Sequence, residues 1–242
     1  MTNFVENIIE PNRLLLVWMP PDGFRRTRYI VGQIERRGDG FTLSYLTDSK
    51  DFIEAKECGF EGYPAFKDTN AQHSSGVIDA FIRRLPPRNR GDFNKYLELL
   101  RISGSSVFSD FALLGYSGAK LPSDGFSLIH PFDNVIGPCE FLTEVAGFRY
   151  IEDVTVEEII IGDEVSFVPE PDNQYDSDAI KIMLNKKKIG YVNRGQLPAF
   201  HRWINDSNIS AVIERSNGRP DRPLIYLFVK VLPALTQMRS VG

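Results

Sequence analysis

The fold of the C-terminal third is decided by the stretch Glu170-Pro171-Asp172-Asn173-Gln174-Tyr175-Asp176-Ser177-Asp178-Ala179-Ile180, which Ile189-Gly190-Tyr191-Val192 follows. Proline, aspartate and asparagine in succession are typical of a rigid polar turn. Residues 179–184 and 188–192 are rich in apolar residues and flank an Asn185-Lys186 turn, so they predict two strands of a hairpin. A polar loop therefore leads into a β-hairpin.

The rest of the C-terminal region, residues 135–242, continues this pattern of short strands and turns. It predicts one helix at 197–204, a short helix at 154–160, a loop at 217–223, and further extended segments at 141–150, 164–168, 209–214 and 224–231. Many short strands around one helix are typical of a compact, partly open β-barrel. We therefore expect an OB-like, partly open barrel in this region.

Residues 1–134 show a different order of elements. Apolar runs predict strands at 14–19, 28–34 and 41–46. Helical spacing then predicts helices at 49–58, 77–85, 92–100 and 107–114, with extended chain at 120–129. The fold class is therefore α+β in two domains: a small mixed sheet-plus-helices domain at 1–134 and the barrel domain at 135–242.

The composition is that of a folded chain, and basic residues are not in excess over acidic ones. The 242 residues include 28 Lys and Arg against 32 Asp and Glu, a formal net charge of −4. This balance argues against a protein that coats long duplex DNA by charge alone, but it allows a small shaped pocket for one strand end. No signal peptide or membrane span is recognisable, so we expect a cytoplasmic protein without a membrane partner.

Residues that hold metals or carry out catalysis are scattered. Cys58 and Cys139 are the only cysteines, and His73, His130 and His201 show no metal-binding spacing. No nucleophile has an adjacent base, and no nuclease signature of paired acids and a lysine falls on a strand. We therefore expect no cofactor, no metal and no enzymatic activity.

The polar loop and its neighbours carry side chains suited to single-stranded nucleic acid. Aromatic faces such as those of Tyr150 and Tyr175 can stack on bases, for about 1–3 kcal/mol each. Arg149 and Arg194 can hold phosphate oxygens through paired N–H donors. Asn173 can both donate and accept hydrogen bonds.

Asp176 indicates what kind of nucleic-acid site this is. A carboxylate repels phosphates, but it accepts a hydrogen bond from a free sugar hydroxyl. An acid beside aromatics and arginines therefore favours a pocket that recognises a strand end. The alternative is a purely structural loop, in which Asn173 or Asp176 bonds its own backbone and Tyr175 is a core residue with its hydroxyl satisfied.

The region from Pro138 to Pro233 resembles the HIRAN domain, a family found in a fork-remodelling helicase-like transcription factor and in many bacterial proteins. The family's pattern of proline, an acidic or asparagine residue, Asn-x-Tyr-Asp and Asp/Asn-Ala-Ile is met by Pro171–Ile180. Its later strand, Ile/Val-Gly-Tyr/His-Leu/Val, is met by Ile189–Val192. The resemblance implies an OB-like barrel that binds the 3′ end of single-stranded DNA.

The resemblance also implies roles for single residues. Arg149 and Tyr150 match an Arg-Tyr pair that contacts the end nucleotides in the helicase-associated version of the domain. Asn173, Tyr175 and Asp176 match residues that line its pocket, with the acid near the 3′ hydroxyl.

Two further residues complete the predicted DNA-binding set, and one feature departs from the family. Arg194 falls where the helicase-associated version has a lysine facing phosphate, and Tyr191 lies in the matched strand. That version also uses an aromatic residue before its last strand, whereas Asn217–Arg222 contains none. Because this aromatic residue is missing, we expect either weaker base stacking or a different ligand.

The N-terminal part, from about Leu14 to Ile129, resembles the N-terminal subdomain of HipA-type toxin kinases. The matching stretches are Leu15 with Val17–Met19, Val31-Gly32, Phe41–Tyr45, Ala80–Pro86 and Phe111–Leu114. The kinase core is absent, since the HIRAN-like region occupies its place. The resemblance therefore implies no phosphotransfer, but a protein partner for residues 1–134, such as a kinase-like toxin or a repair or defence enzyme.

Two functional hypotheses follow from the sequence. The first is a non-enzymatic DNA-binding protein that recognises single-stranded DNA at 3′ ends and serves DNA repair, mobile-element control or phage defence. The second is an antitoxin-like or regulatory protein-interaction factor that uses the HIRAN fold as a scaffold. The net negative charge fits the second hypothesis more easily.

Overall fold

The computed structural model describes residues 3–21, 27–121, 124–133, 135, 137–206, 208–219 and 222–232, except for the side chain of residue 222. The chain divides into two compact units. One unit is Ile9–Asp133, and the other joins the chain before Ile9 to the chain after Asp133. The first residues therefore group with the C-terminal unit, whereas the sequence pattern had assigned them to the N-terminal domain.

The buried Glu140 carboxylate explains this grouping. It accepts hydrogen bonds from the backbone N–H groups of Glu6 (3.2 Å) and Asn7 (2.9 Å) and from the Asn7 side chain. Val5 is also buried, with 2% of its surface exposed. A buried charge needs such donors, and the N-terminal segment supplies them.

The N-terminal unit is a small sheet with helices. Its strands are β1 (Arg13–Trp18), β2 (Tyr29–Arg37), β3 (Gly40–Tyr45) and β4 (Phe126–Ile129), which pair antiparallel in the order β3-β2-β1-β4. Its helices are α1 (Lys50–Glu57), α2 (Val77–Ile82), α3 (Phe93–Leu99) and α4 (Asp110–Ser117). Helix α4 begins later than predicted because the Ser109 hydroxyl caps it, accepting from the Ala112 N–H at 3.0 Å.

An ion pair between the buried Arg84 and the partly exposed Asp124 joins the end of α2 to the segment before β4. The Arg84 side chain is 3% exposed and donates to both carboxylate oxygens of Asp124, at 2.7 and 2.8 Å. It also donates to the backbone oxygens of Ala119 (2.7 Å) and Phe126 (2.9 Å). Burial by itself would raise the pKa of Asp124, but the hydrogen bonds from Arg84 and the Phe126 N–H outweigh it and lower that pKa.

Loss of this guanidinium is expected to destabilise the N-terminal unit. The substitution Arg84→Met should lower the free energy of unfolding by about 3 kcal/mol, because Asp124 and two backbone oxygens lose their donor. Chemical denaturation measures the change. The matched control is Arg83→Met at the exposed neighbour, for which we expect less than about 0.5 kcal/mol. Equal losses in both variants would contradict a special role for the buried Arg84 guanidinium.

The C-terminal unit is a curled antiparallel sheet. Its strands are β5 (Cys139–Glu144), β6 (Glu164–Pro169), β7 (Ile180–Leu184), β8 (Lys187–Tyr191), β9 (Ile209–Arg219) and β10 (Arg222–Val231), in the order β5-β10-β9-β6-β7-β8. The start of β6 pairs with β9 and its end with β7, so this strand turns the corner of the half-barrel. The expected α+β class and OB-like, partly open barrel are confirmed.

One helix fills the half-barrel, as the sequence predicted. Helix α5 (Leu197–Asn205) carries Phe200, which is fully buried. Its ring lies 5.0 Å from that of Phe167 on β6 and 6.1 Å from that of Phe141 on β5. Trp203 packs beside it, at 5.4 Å between ring centroids. These aromatic contacts hold the curled sheet around the helix.

The two edge strands of the curled sheet meet just beyond β5. Ala146 and Tyr191 exchange two backbone hydrogen bonds, each of 2.9 Å, so the continuation of β5 pairs with β8. Gly190 makes this approach possible, because a Cβ there would lie 2.5 Å from the Ala146 oxygen and from Val145 Cγ1. Its φ of +148° also lies where side chains are strained.

Two local predictions in the C-terminal region were wrong. Residues 148–150 form a 3₁₀ turn (Phe148–Tyr150) rather than extended chain, because Gly147 adopts a positive φ of 80° and turns the backbone. Residues 217–219 and 222–223 belong to β9 and β10 rather than to a loop, because the hairpin ladder continues to the Arg219–Arg222 pair. The remainder of that predicted loop, residues 220 and 221, lies outside the described residues.

Gly190→Ala is expected to break the closure of the half-barrel. Either the Ala146–Tyr191 bridge opens or the backbone shifts, and we expect a loss of about 2 kcal/mol or more in unfolding free energy. Thermal and chemical unfolding measure this loss. Gly137→Ala is the control, because a Cβ at Gly137 meets no atom within 4 Å. A fully stable Gly190→Ala variant would contradict the close approach.

Candidate nucleic-acid interface

The loop between β6 and β7 is shaped by the side chain of Asn173. Its Oδ1 accepts hydrogen bonds from the backbone N–H groups of Tyr175 (2.9 Å) and Asp176 (3.1 Å). This is the local side-chain-to-backbone bonding that favours asparagine in turns. The loop ends are tied by a bond from the Glu170 N–H to the Ala179 oxygen, at 2.8 Å. Asn173 therefore holds the loop in shape.

Glu170 connects this loop to strand β8. One carboxylate oxygen accepts from Asn173 Nδ2 (2.7 Å) and from the Tyr191 hydroxyl (2.9 Å), and the other lies 3.3 Å from Lys181 Nζ. The bond from Asn173 lowers the pKa of Glu170; burial opposes this, and Tyr191 and Lys181 add to the lowering. Lys188 Nζ in turn donates to the Tyr191 hydroxyl at 3.1 Å.

Sequence reasoning gave Glu170 no role, although it lies beside the predicted site residues. Its link to Tyr191 spans 21 positions of the chain, and no local pattern indicates such a contact. The only signal available was an acid next to a proline-rich turn, which is common on protein surfaces.

Asp176 and Arg194 form an ion pair. Arg194 Nε lies 3.3 Å from Asp176 Oδ2, while Oδ1 accepts from the Asp178 N–H at 3.0 Å. Arg194 opens a 3₁₀ turn (Arg194–Gln196), which the Asn193 side chain caps through the Gly195 N–H. The Asp176 side chain remains 25% exposed, and a carboxylate has about four acceptor sites. It can therefore accept a further hydrogen bond from solvent or a ligand.

Two tyrosines present their rings to solvent. Tyr175 is 76% exposed and Tyr150 is 66% exposed, so the alternative of Tyr175 as a core residue is wrong. The Arg149 guanidinium lies 4.4 Å from the Tyr150 ring centroid and donates to its hydroxyl. The neighbouring Phe148 is buried, at 5% exposure, and anchors this turn.

A chain of contacts links the predicted residues at one end of the half-barrel. The turn with Arg149 and Tyr150 follows Ala146, which bridges to Tyr191. Through Glu170, Tyr191 is hydrogen-bonded to the loop that carries Asn173, Tyr175 and Asp176. Arg194 is linked to the same loop by its ion pair with Asp176. The structure therefore connects all seven residues that the sequence singled out.

This arrangement offers flat aromatic surfaces, cations and the partly exposed carboxylate of Asp176. It can stack bases, hold phosphate oxygens and accept a hydrogen bond from a hydroxyl group. Within the part of the chain that the structure describes, no group of three or more His, Cys, Asp or Glu is placed to hold a metal ion. None of the described helices is both long and apolar enough to cross a membrane.

The curled antiparallel sheet, closed beside its polar loop and filled by one helix, defines an OB-like half-barrel domain. Comparison with family models assigns it further: residues 139–230 match the HIRAN domain. This part of the chain is a HIRAN domain, as the sequence pattern predicted. The comparisons do not support the resemblance of the N-terminal part to HipA-type kinases, which stays a hypothesis.

Two solved structures are similar to the chain. The crystal structure of the HIRAN domain of human HLTF shows 21% sequence identity over 40% of this chain and 75% of that chain, with a TM-score of 0.32. The crystal structure of a protein from Lactobacillus plantarum shows 22% identity over 39% of this chain and 97% of that chain, with a TM-score of 0.33. No curated protein was found to match.

Asn173→Ala is expected to loosen the loop without unfolding the half-barrel. The backbone N–H groups of Tyr175 and Asp176 lose their acceptor, so their hydrogen exchange should accelerate, with a cost of about 1 kcal/mol in global stability. Exchange measured by NMR tests this. Asp172→Ala, at an exposed position in the same loop, is the control. Unchanged exchange at both amides in Asn173→Ala would contradict the assignment.

Proposed function

We propose that this protein is a non-enzymatic DNA-binding protein that recognises the free 3′ end of single-stranded DNA through its HIRAN domain. The observation that carries the proposal is the Asp176 carboxylate. It is held by Arg194 and the Asp178 N–H, stays partly exposed, and lies in the same loop as the exposed Tyr175. The HIRAN family match adds support.

The carboxylate favours a strand end over the middle of a strand. Inside a strand every sugar oxygen at the 3′ position is esterified and next to a negative phosphate, which a carboxylate repels. At a free 3′ end the hydroxyl donates a hydrogen bond to the acid, and bonds to charged acceptors are the stronger ones. Arg194, paired with Asp176, faces the preceding phosphate in this proposal.

The surrounding side chains suit one strand rather than a duplex. Tyr150 and Tyr175 provide exposed rings on which unpaired bases stack. Lys181, Lys188 and Arg149 lie on the same linked elements, but Glu170 offsets part of their charge. Binding therefore rests on shape and on few phosphate contacts, which predicts a shallow dependence on salt concentration.

Fluorescence anisotropy with labelled oligonucleotides at two salt concentrations tests the proposal. The probes are single-stranded DNA with a 3′ hydroxyl, the same strand with a 3′ phosphate, blunt duplex DNA and single-stranded RNA. We expect the 3′ hydroxyl strand to bind at least about tenfold more tightly than the 3′ phosphate strand. Asp176→Asn removes the repelling charge and should reduce this preference to a few-fold.

Asp178→Asn is the matched control, since it makes the same charge change at an exposed position of the same loop. Its preference for the 3′ hydroxyl should equal that of the unchanged protein. Equal binding of both end types by the unchanged protein, or an undiminished preference in Asp176→Asn, would refute the end-reading pocket. Tighter binding of RNA would redirect the proposal to that ligand.

The proposal extends to the rest of the chain. We assign the N-terminal unit a partner-binding role and the protein a cytoplasmic location, supported by the sequence patterns described above. The alternative, an antitoxin-like or regulatory factor with the HIRAN fold as a scaffold, is favoured by the net charge of −4. No binding to any oligonucleotide would support this alternative over the DNA-binding proposal.

A further inference from the structure

Cation–aromatic pairs occur on the C-terminal unit both within the site described above and outside it. Lys188 Nζ lies 5.0 Å from the ring centroid of Tyr191, and Arg149 pairs with Tyr150. Arg215 and Tyr226 form a further pair, with the guanidinium carbon 4.5 Å from the ring centroid. Sequence analysis assigned no role to the Arg215–Tyr226 pair.

The Arg215–Tyr226 pair lies on the outer face of the half-barrel. Ile225 and Leu227, on either side of Tyr226 in β10, are fully buried, with 0% exposure, and side chains alternate between the two faces of a strand. Tyr226 on β10 and Arg215 on β9 are half-buried cross-strand partners. Their side chains are therefore on the opposite face from the core.

Strand register places this pair beside the proposed DNA site. Tyr226 pairs with Glu144 on β5, and Ala146, two residues later, pairs with Tyr191. The backbone of Val145 between them donates to the Ile225 oxygen at 2.9 Å. Tyr226 and Tyr191 thus flank the same short segment, whose two outer positions are about 7 Å apart along the strand.

We infer that Arg215 and Tyr226 form a further nucleotide subsite of the single-stranded DNA site, where an unpaired base upstream of the 3′ end stacks on the pair. The inference rests on the proposed function. Bases stack on tyrosine rings and on arginine guanidinium planes alike, and neither contact requires a particular base. Arg215 also provides a positive charge for a phosphate of the same strand.

Glu144 on β5 is the cross-strand partner of Tyr226, two residues before the Ala146–Tyr191 bridge. A carboxylate repels phosphate. In the proposed subsite the base therefore stacks on the Tyr226 ring, and the phosphate lies on the Arg215 side.

Abasic scanning tests the subsite. Decanucleotides with a free 3′ hydroxyl carry a single abasic site at successive positions, and a dinucleotide serves as the shortest ligand. For the unchanged protein, one internal abasic position upstream of the end should weaken binding about fivefold or more. Tyr226→Leu should weaken binding of the intact decanucleotide to the same extent, leave the dinucleotide unchanged, and lose sensitivity to that abasic position.

Tyr226→Phe is the matched control, because it keeps the ring, and it should bind like the unchanged protein. The subsite would be overturned if Tyr226→Leu weakened binding of the dinucleotide and the decanucleotide equally. It would also be overturned if Tyr226→Leu remained as sensitive as the unchanged protein to every abasic position. Loss of the 3′ hydroxyl preference with an intact Tyr226 effect would overturn the end-reading function and leave the subsite standing. An unchanged protein that binds neither ligand overturns both.

Discussion

The HIRAN domain depends on one close backbone approach, between Ala146 and the strand that contains Gly190. The two backbone hydrogen bonds that Ala146 and Tyr191 exchange join the two edge strands of the six-stranded sheet and close the half-barrel at this point. A Cβ at Gly190 would lie only 2.5 Å from the Ala146 oxygen. The glycine of the Ile189–Val192 stretch thus has a physical reason, because it permits the contact that the backbone of Tyr191 makes.

The same contact brings the candidate site together. It joins the turn of Arg149 and Tyr150 to β8, where the Tyr191 hydroxyl reaches the Glu170 carboxylate. Glu170 in turn holds Asn173, whose side chain shapes the loop of Tyr175 and Asp176. Closure of the barrel and shape of the site are therefore parts of one hydrogen-bonded system.

Local chemistry made much of the fold predictable. The Asn185-Lys186 turn was predicted from its residues, and both adopt the positive φ of a tight hairpin turn, 48° and 69°. The asparagine of the β6–β7 loop likewise bonds its own backbone. The extension of β9 and β10 was missed because Asn217, Gly218 and Pro223 are loop-type residues, and only the opposing strand keeps them extended.

Contacts between distant residues set the limit of such prediction. No pattern near Glu140 indicates that it binds the N–H groups of residues 6 and 7, so the unit boundary at Ile9 could not be read from the sequence. The role of Glu170 and the pairing of Arg215 with Tyr226 depend on register in the same way. The side-chain types of a site are visible in a sequence, whereas the residues that orient them become visible only with the fold.

An acidic chain is compatible with a nucleic-acid site of this kind. Duplex-coating proteins gain affinity from many released counterions, and that gain requires a basic surface. A site that stacks a few bases and accepts a hydrogen bond from one hydroxyl group gains most of its affinity from contacts that need no net positive charge. The overall charge of −4 is therefore compatible with the proposed site, in which Asp176, held by Arg194, accepts a hydrogen bond from the terminal hydroxyl.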